Sequence, residues 1–284
     1  MVSLDFKALT ERVGIVRILE VVFTCVTFSL VASVGRSIDP FWTWCMFTWC
    51  FCFCVTIFIL IVEFTSLTEK LPLSWGDFTS AFSLLATLMV MVATILYSMF
   101  FACSLCGRQI AASVFSAITI SLYSTEVGII RARPGEISGF LSTVPGLLKV
   151  LEAFVACIIF ICLRYINYWV YPGLQWCVFV YSICFIFSFL IIILTICRLL
   201  ALLPAPFSKV LTVCNVLAVL MYFTAVIIWP VYSFKDHPKP NCPIAYLCGW
   251  NLLVVISVMT CFNLVAYIVD TVYSFKLTFT TRET

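Results

Sequence analysis

Long apolar runs separated by short polar intervals dominate the chain. Residues 40–62, 78–107, 165–197, 210–234 and 240–269 contain no Asp, Glu, Lys or Arg. Each is longer than the ~18 residues at which a charge-free run reads as a membrane-crossing helix, because ~20 residues traverse a ~30 Å hydrocarbon core. Three further apolar stretches, near 15–34, 109–130 and 148–167, carry an acid close to one end. The pattern therefore predicts eight transmembrane helices. Barrel strands do not fit, since they alternate with period two and run only ~9–11 residues.

Composition removes the water-soluble alternatives. Of 284 residues, 64% are hydrophobic and 10% charged, against roughly 45–50% and about 25% in a soluble domain. The formal charge of +3 is small and scattered, so no basic face is available for nucleic acid. Met1–Arg12 mixes charges without an apolar core, and the first helix is expected to insert as an uncleaved anchor. Eleven of the 16 Lys and Arg residues fall at the termini and in the even-numbered loops, which predicts that both termini are cytoplasmic. Trp42, Trp44, Trp169, Trp176, Trp229 and Trp250 then lie near the outer ends of the helices, where indole rings favour the interface.

The chain repeats itself. Gly14-Ile-Val-Arg17-Ile-Leu-Glu20 recurs 132 residues later as Gly146-Leu-Leu-Lys149-Val-Leu-Glu152. Register holds through Trp44-Cys45 and Trp176-Cys177, Cys52-Phe53 and Cys184-Phe185, and Leu71-Pro72 and Leu203-Pro204. After the third span the offset becomes 144, matching Tyr123 and Glu126 with Tyr267 and Asp270. The fold class is accordingly all-α: eight transmembrane helices in two tandem four-helix units. Residues 1–13 form a cytoplasmic segment, 14–130 the first unit, 131–145 a cytoplasmic connection, 146–273 the second unit and 274–284 a cytoplasmic tail. An even number of spans per unit gives both copies the same orientation.

Ionisable residues within spans mark functional sites by default. Glu20 and Glu152 sit inside the first and fifth spans, while Glu63, Glu126 and Asp270 close the second, fourth and eighth. Arg17 and Glu20, like Lys149 and Glu152, are three apart, which predicts side-by-side pairs on one helix. Glu126 precedes Arg131 and Arg133 closely enough to pair with them across the helix end. Glu20 and Glu152 are also expected in the first turns of their helices, where the N-terminus favours negative charge. Their expected role is mainly to anchor and pack helices; the alternative is a channel or transporter with Glu20 and Glu152 beside a pseudo-twofold pathway. Asn215 and Asn263 are expected to hydrogen-bond between helices. Ser113, Ala117, Ser121 and Thr125 recur every fourth residue, a small-residue stripe expected to pack inside its own unit, with homo-oligomerisation the alternative.

Most of the 16 cysteines lie within spans and read as small apolar fillers. Four lie in outer segments: Cys103, Cys106, Cys242 and Cys248. Cys242–Cys248 is the favoured disulfide, which would pin the longest outer loop. Cys103-x-x-Cys106 has the spacing of a redox or zinc half-site without the surroundings of either. Cys197, beside Arg198 at a cytoplasmic helix end, is the palmitoylation candidate. With a single histidine, His237, and no phosphate-binding, hydrolase or dinucleotide motif, no catalysis, cofactor or metal is expected. Val226, Tyr232 and Lys235 match a loose cholesterol-contact pattern.

The segment from Arg131-Ala-Arg-Pro-Gly-Glu-Ile-Ser-Gly to Val144-Pro-Gly-Leu-Leu-Lys-Val-Leu-Glu152 resembles the centre of the myeloid-associated differentiation marker proteins. So do Ser29-Leu-Val-Ala-Ser-Val-Gly35 and Met46-Phe-Thr-Trp-Cys-Phe-Cys52. The resemblance runs from about Gly14 to Asp270. It implies two tandem MARVEL domains of four helices each, in agreement with the repeat. It further implies a non-enzymatic organiser of cholesterol-rich plasma-membrane domains (rafts), cortical signalling and membrane traffic, with membrane lipids and cytoplasmic cortical or trafficking proteins as partners. The connection Arg131–Lys149, with Arg131 and Arg133 and with Phe140 and Leu141 free to dip into the interface, is expected either to contact partners or anionic headgroups or to be a solvated linker that joins the two units.

Overall fold

A computed structural model describes residues 10–35, 40–103, 106–132, 140–199, 207–235 and 249–280. All regular structure among them is helical. Helices α1 (Arg12–Val34), α2 (Pro40–Phe64), α3 (Trp75–Phe100) and α4 (Gly107–Ala132) form a first group. A second comprises α5 (Val144–Leu163), α6 (Pro172–Ile196), α7 (Phe207–Phe234) and α8 (Gly249–Thr280). All eight are long and apolar enough to cross a membrane. The chain divides into two compact units, Met1–Ser142 and Thr143–Thr284.

In hydrocarbon every backbone polar group must be satisfied within its own helix, so each unit can only be a helix bundle joined at its ends. The joints follow local chemistry. Gly35, at φ 111°, closes α1. Pro145 lies in the first turn of α5, where the Thr143 hydroxyl accepts from Gly146 N–H at 3.4 Å. Pro172 opens α6, a position that has no helical partner for the missing N–H. Ser66 (φ 50°) and Arg198 (φ 58°) are non-glycine residues in the left-handed region. They follow α2 and α6 at equivalent points, 132 residues apart. The repeat thus extends to an uncommon backbone conformation, which costs roughly 1–2 kcal/mol in a residue bearing a Cβ.

Packing inverts the soluble pattern. Phe47, Phe58, Phe179, Phe189, Phe223 and Phe262 point outward, as lipid permits. The first interior holds Cys45, Trp49, Cys52, Ala86, Ala93, Tyr97 and Tyr123. The second holds Cys177, Tyr181, Cys184, Ala225, Trp229 and Tyr267. Small and hydrogen-bonding residues are kept inside because close approach and interhelical hydrogen bonds, not hydrophobicity, hold helices together in lipid. Gly173 shows how close the approach becomes: a Cβ there would sit 2.7 Å from ring carbons of Tyr232.

Two expectations are corrected at this level. Ala117, Ser121 and Thr125 are exposed and Ser113 only half-buried. The buried face of α4 is instead Ala112, Ser116, Thr119, Tyr123 and Glu126. Small size alone misassigned the face; the larger polar groups on the opposite side have partners to reach. Trp229, read as an outer-interface anchor, is buried in the second core, where its indole N–H donates to the Leu253 carbonyl at 3.4 Å.

Candidate functional site

Each unit buries one cation among acids drawn from different helices. In the first, Arg17 on α1 directs Nε to Glu126 Oε1 on α4 at 2.5 Å, and Nη1 to Glu63 Oε2 on α2 at 2.5 Å. The free oxygen of each acid is also used. Ser83 on α3 donates to Glu126 Oε2 at 2.7 Å, and the Trp75 indole donates to Glu63 Oε1 at 2.9 Å. All four helices therefore meet at one cluster. Deeper in the bundle, Tyr123 bonds Thr56 at 2.7 Å and Trp49 donates to Ser116 at 2.9 Å.

The second unit repeats the plan with different side chains. Lys149 Nζ on α5 contacts Glu152 Oε2 at 2.7 Å, Asp270 Oδ2 on α8 at 2.8 Å and Asn215 Oδ1 on α7 at 2.8 Å. Its ammonium also lies 4.9 Å from the ring centre of Tyr267, a cation–π distance. Asn215 Nδ2 donates to Asp270 Oδ2 at 2.8 Å, and Ser188 on α6 donates to Glu152 Oε2 at 2.8 Å. Asn263 donates to the Tyr222 hydroxyl at 2.7 Å.

The correspondences keep the offsets of the repeat. Arg17 and Lys149, Ser83 and Asn215, and Thr56 and Ser188 are 132 apart, while Glu126 and Asp270 are 144 apart. Cys45 and Cys177 donate to the carbonyls of Ala93 and Ala225, again 132 apart. Ser83 and Asn215 could have been found by extending the alignment to the third and seventh spans. Asn215 makes the interhelical hydrogen bonds expected of it, whereas Ser83, small and uncharged, carried no signal of its own.

Several expected pairings change. Arg17 does not pair with Glu20. It reaches across the bundle, and Glu126 pairs with it instead of with Arg131, which is exposed. Glu20 and Glu152 do not lie in first helical turns, so the helix N-terminus is not what accommodates them. Glu20 is fully buried, neither of its oxygens has a hydrogen-bond donor, and its carboxyl lies against that of Glu126. Lys149 does pair with Glu152, as three-residue spacing suggests, and adds Asp270.

The connection also differs from expectation. Leu141 is buried, and its N–H donates to Asp77 Oδ1 at 2.7 Å while Ser74 donates to Asp77 Oδ2 at 2.6 Å. Leu141 is pinned to α3 and is not available to enter a membrane interface; Phe140 beside it is half-buried. Arg133 lies outside the described residues, as do Cys242 and Cys248. The disulfide among the described residues joins Cys103 and Cys106, with Cα atoms 5.1 Å apart. Cys197 is half-buried just after α6. Among the described residues, no three His, Cys, Asp or Glu side chains are grouped to hold a metal ion.

Comparison with known proteins agrees with this architecture. The MARVEL membrane-associating domain matches twice, over residues 8–129 and 140–273. The myeloid-associated differentiation marker of Pongo abelii is 45% identical over 96% of this chain and 90% of its own length. Its homolog from Xenopus laevis is 44% identical over 97% of this chain and 95% of its own. The human myeloid-associated differentiation marker-like protein 2 is 41% identical over 97% and 95%. No solved structure matches the chain. Two MARVEL matches and near full-length similarity identify a multi-pass membrane protein that belongs to the myeloid-associated differentiation marker family.

Proposed function

We propose that this protein is a non-enzymatic lateral organiser of the plasma membrane, with both termini cytoplasmic. It gathers ordered, cholesterol-containing lipid together with cortical or trafficking proteins. One observation carries the reading: each bundle turns its polar groups inward onto one another and presents bulky apolar side chains outward. Chemistry consumed inside the bundle leaves the lipid-facing surface and the cytoplasmic segments as the working parts.

The test is partitioning of labelled full-length protein between ordered and disordered phases of plasma-membrane vesicles, before and after cholesterol removal. Enrichment in the ordered phase that disappears with cholesterol supports the organiser. Indifference to both removes its lipid basis. A flux pathway through Glu20 and Glu152 is the second reading, favoured by the buried Glu20 carboxyl that no donor reaches. It is opposed by Glu152, which is engaged with Lys149 and Ser188. Lost solute flux with normal surface expression, after both are changed to Gln, would reinstate it.

A further inference from the structure

Hydrogen-bond accounting in the two clusters gives unequal results. In the second unit, one cation faces two acids, Glu152 and Asp270, and contacts both. The first unit places three acids around one cation, and Arg17 contacts only Glu63 and Glu126. The position equivalent to Glu63 in the second unit is Thr195, which turns its hydroxyl to its own helix. The first cluster therefore has one carboxyl more than its repeat.

Glu20 is that carboxyl. It is fully buried with both oxygens lacking a donor, and it abuts Glu126. Both oxygens of Glu126 already accept bonds, from Arg17 and Ser83. Two adjoining carboxylates repel, and an isolated buried carboxylate is among the costliest groups a protein can hold. Among the described residues, Arg17 is the cation in contact with this cluster. The groups facing the pair are Arg17 on α1, Glu63 and the Cys52 thiol on α2, Ser83 on α3, and the Tyr123 phenol on α4. Tyr123 directs its hydroxyl to Thr56 and the Cys52 carbonyl, so it does not supply the missing donor.

We infer that the first unit is a proton-binding site, in which the buried carboxyl of Glu20 holds a proton and donates it as a hydrogen bond to Glu126, tying α1 to α4. As a carboxylic acid, Glu20 donates where it otherwise repels, and Glu126 keeps its bond to Arg17. Glu63, next to the last residue of α2 and with a side chain 21% exposed, forms the outer edge of the cluster. The second unit differs: Glu152 Oε1 also lacks a donor, but Lys149 bridges both acids, so neither carboxyl there is left without a counter-charge. The inference is independent of lipid partitioning, and either can fail without the other.

The test is infrared spectroscopy of the full-length protein in lipid nanodiscs at neutral pH. The expected result is a carboxylic-acid carbonyl band that shifts on transfer to D2O. The band is lost in Glu20→Gln and also in Glu126→Gln, because either amide can donate to the remaining carboxylate. In Glu152→Gln it persists, and in Ser83→Ala it moves. Absence of the band from the wild type, or its survival in Glu20→Gln, overturns the inference. A second measurement holds even if a variant folds poorly. A proton held by the folded state and absent from the unfolded one weakens the folding equilibrium as pH rises, by up to about tenfold per pH unit. The wild-type thermal midpoint should fall on alkalinisation, and a midpoint indifferent to pH across the neutral range overturns the proposal.

Discussion

Replacing Lys149 by Met removes the cation that, among the described residues, contacts both acids of the second cluster. Its ammonium makes three contacts of 2.7–2.8 Å, to Glu152, Asp270 and Asn215. All of these groups are fully buried or nearly so. Met keeps most of the side-chain volume, so the loss is electrostatic and not a cavity. Two carboxylates remain without a counter-charge, and removing one partner of a buried pair costs about 3–5 kcal/mol. Individual hydrogen bonds in membrane bundles average only about 0.6 kcal/mol, because the membrane-embedded unfolded state also finds partners. The lower end of the range, about 3 kcal/mol, is therefore expected, or a bit over a hundredfold in the folding equilibrium. The assay is reversible unfolding of purified protein in mixed micelles, with titrated denaturing detergent. Lys149→Met alone should lose that stability, and the triple variant with Glu152→Gln and Asp270→Asn should recover most of it. A single variant within about 0.5 kcal/mol of wild type, the range of an ordinary surface change, would refute the view that this cation holds α5 to α8. So would a triple variant no better than the single.

Asp77→Ala should cost about 1–3 kcal/mol, because it strands the buried N–H of Leu141 as well as losing the Ser74 bond; limited proteolysis of folded protein should then cut faster near residues 140–143, and an unchanged pattern would show that the connection is held by other contacts. On α4, Ala117→Leu and Ser121→Leu should leave unfolding within about 0.5 kcal/mol of wild type, whereas Ser116→Leu should cost about 1–3 kcal/mol through overpacking against Trp49 and against Thr94 on α3, both hydrogen-bonded to the Ser116 hydroxyl. Equal losses on the two faces, read by the same detergent titration, would mean that the outward face is covered.

Part of the cluster was legible beforehand for a specific reason. The repeat aligned Arg17 with Lys149, Glu20 with Glu152 and Glu126 with Asp270, so membership of the charged set needed no coordinates. What misled was one-dimensional distance. Three-residue spacing made Glu20 the natural partner of Arg17, and proximity in sequence offered Arg131 to Glu126. Arg17 instead spans from α1 to α2 and α4. The stripe on α4 misled similarly, because period-four small residues specify a face without specifying what lies opposite it.

The sequence by itself determined the eight apolar helices, the all-α class and the duplication. Those follow from the thickness of a bilayer, the need to satisfy backbone groups within each helix, and register kept over a hundred residues. Tertiary structure alone decided which charged groups meet, that Ser83 and Asn215 complete the clusters, that Trp229 and Leu141 are buried, and that Glu20 lacks a donor. The physical reason is that helix rotation is set by how side chains pack against neighbouring helices. In a chain this apolar every face is hydrophobic enough for lipid, so the hydrophobic pattern leaves that rotation open.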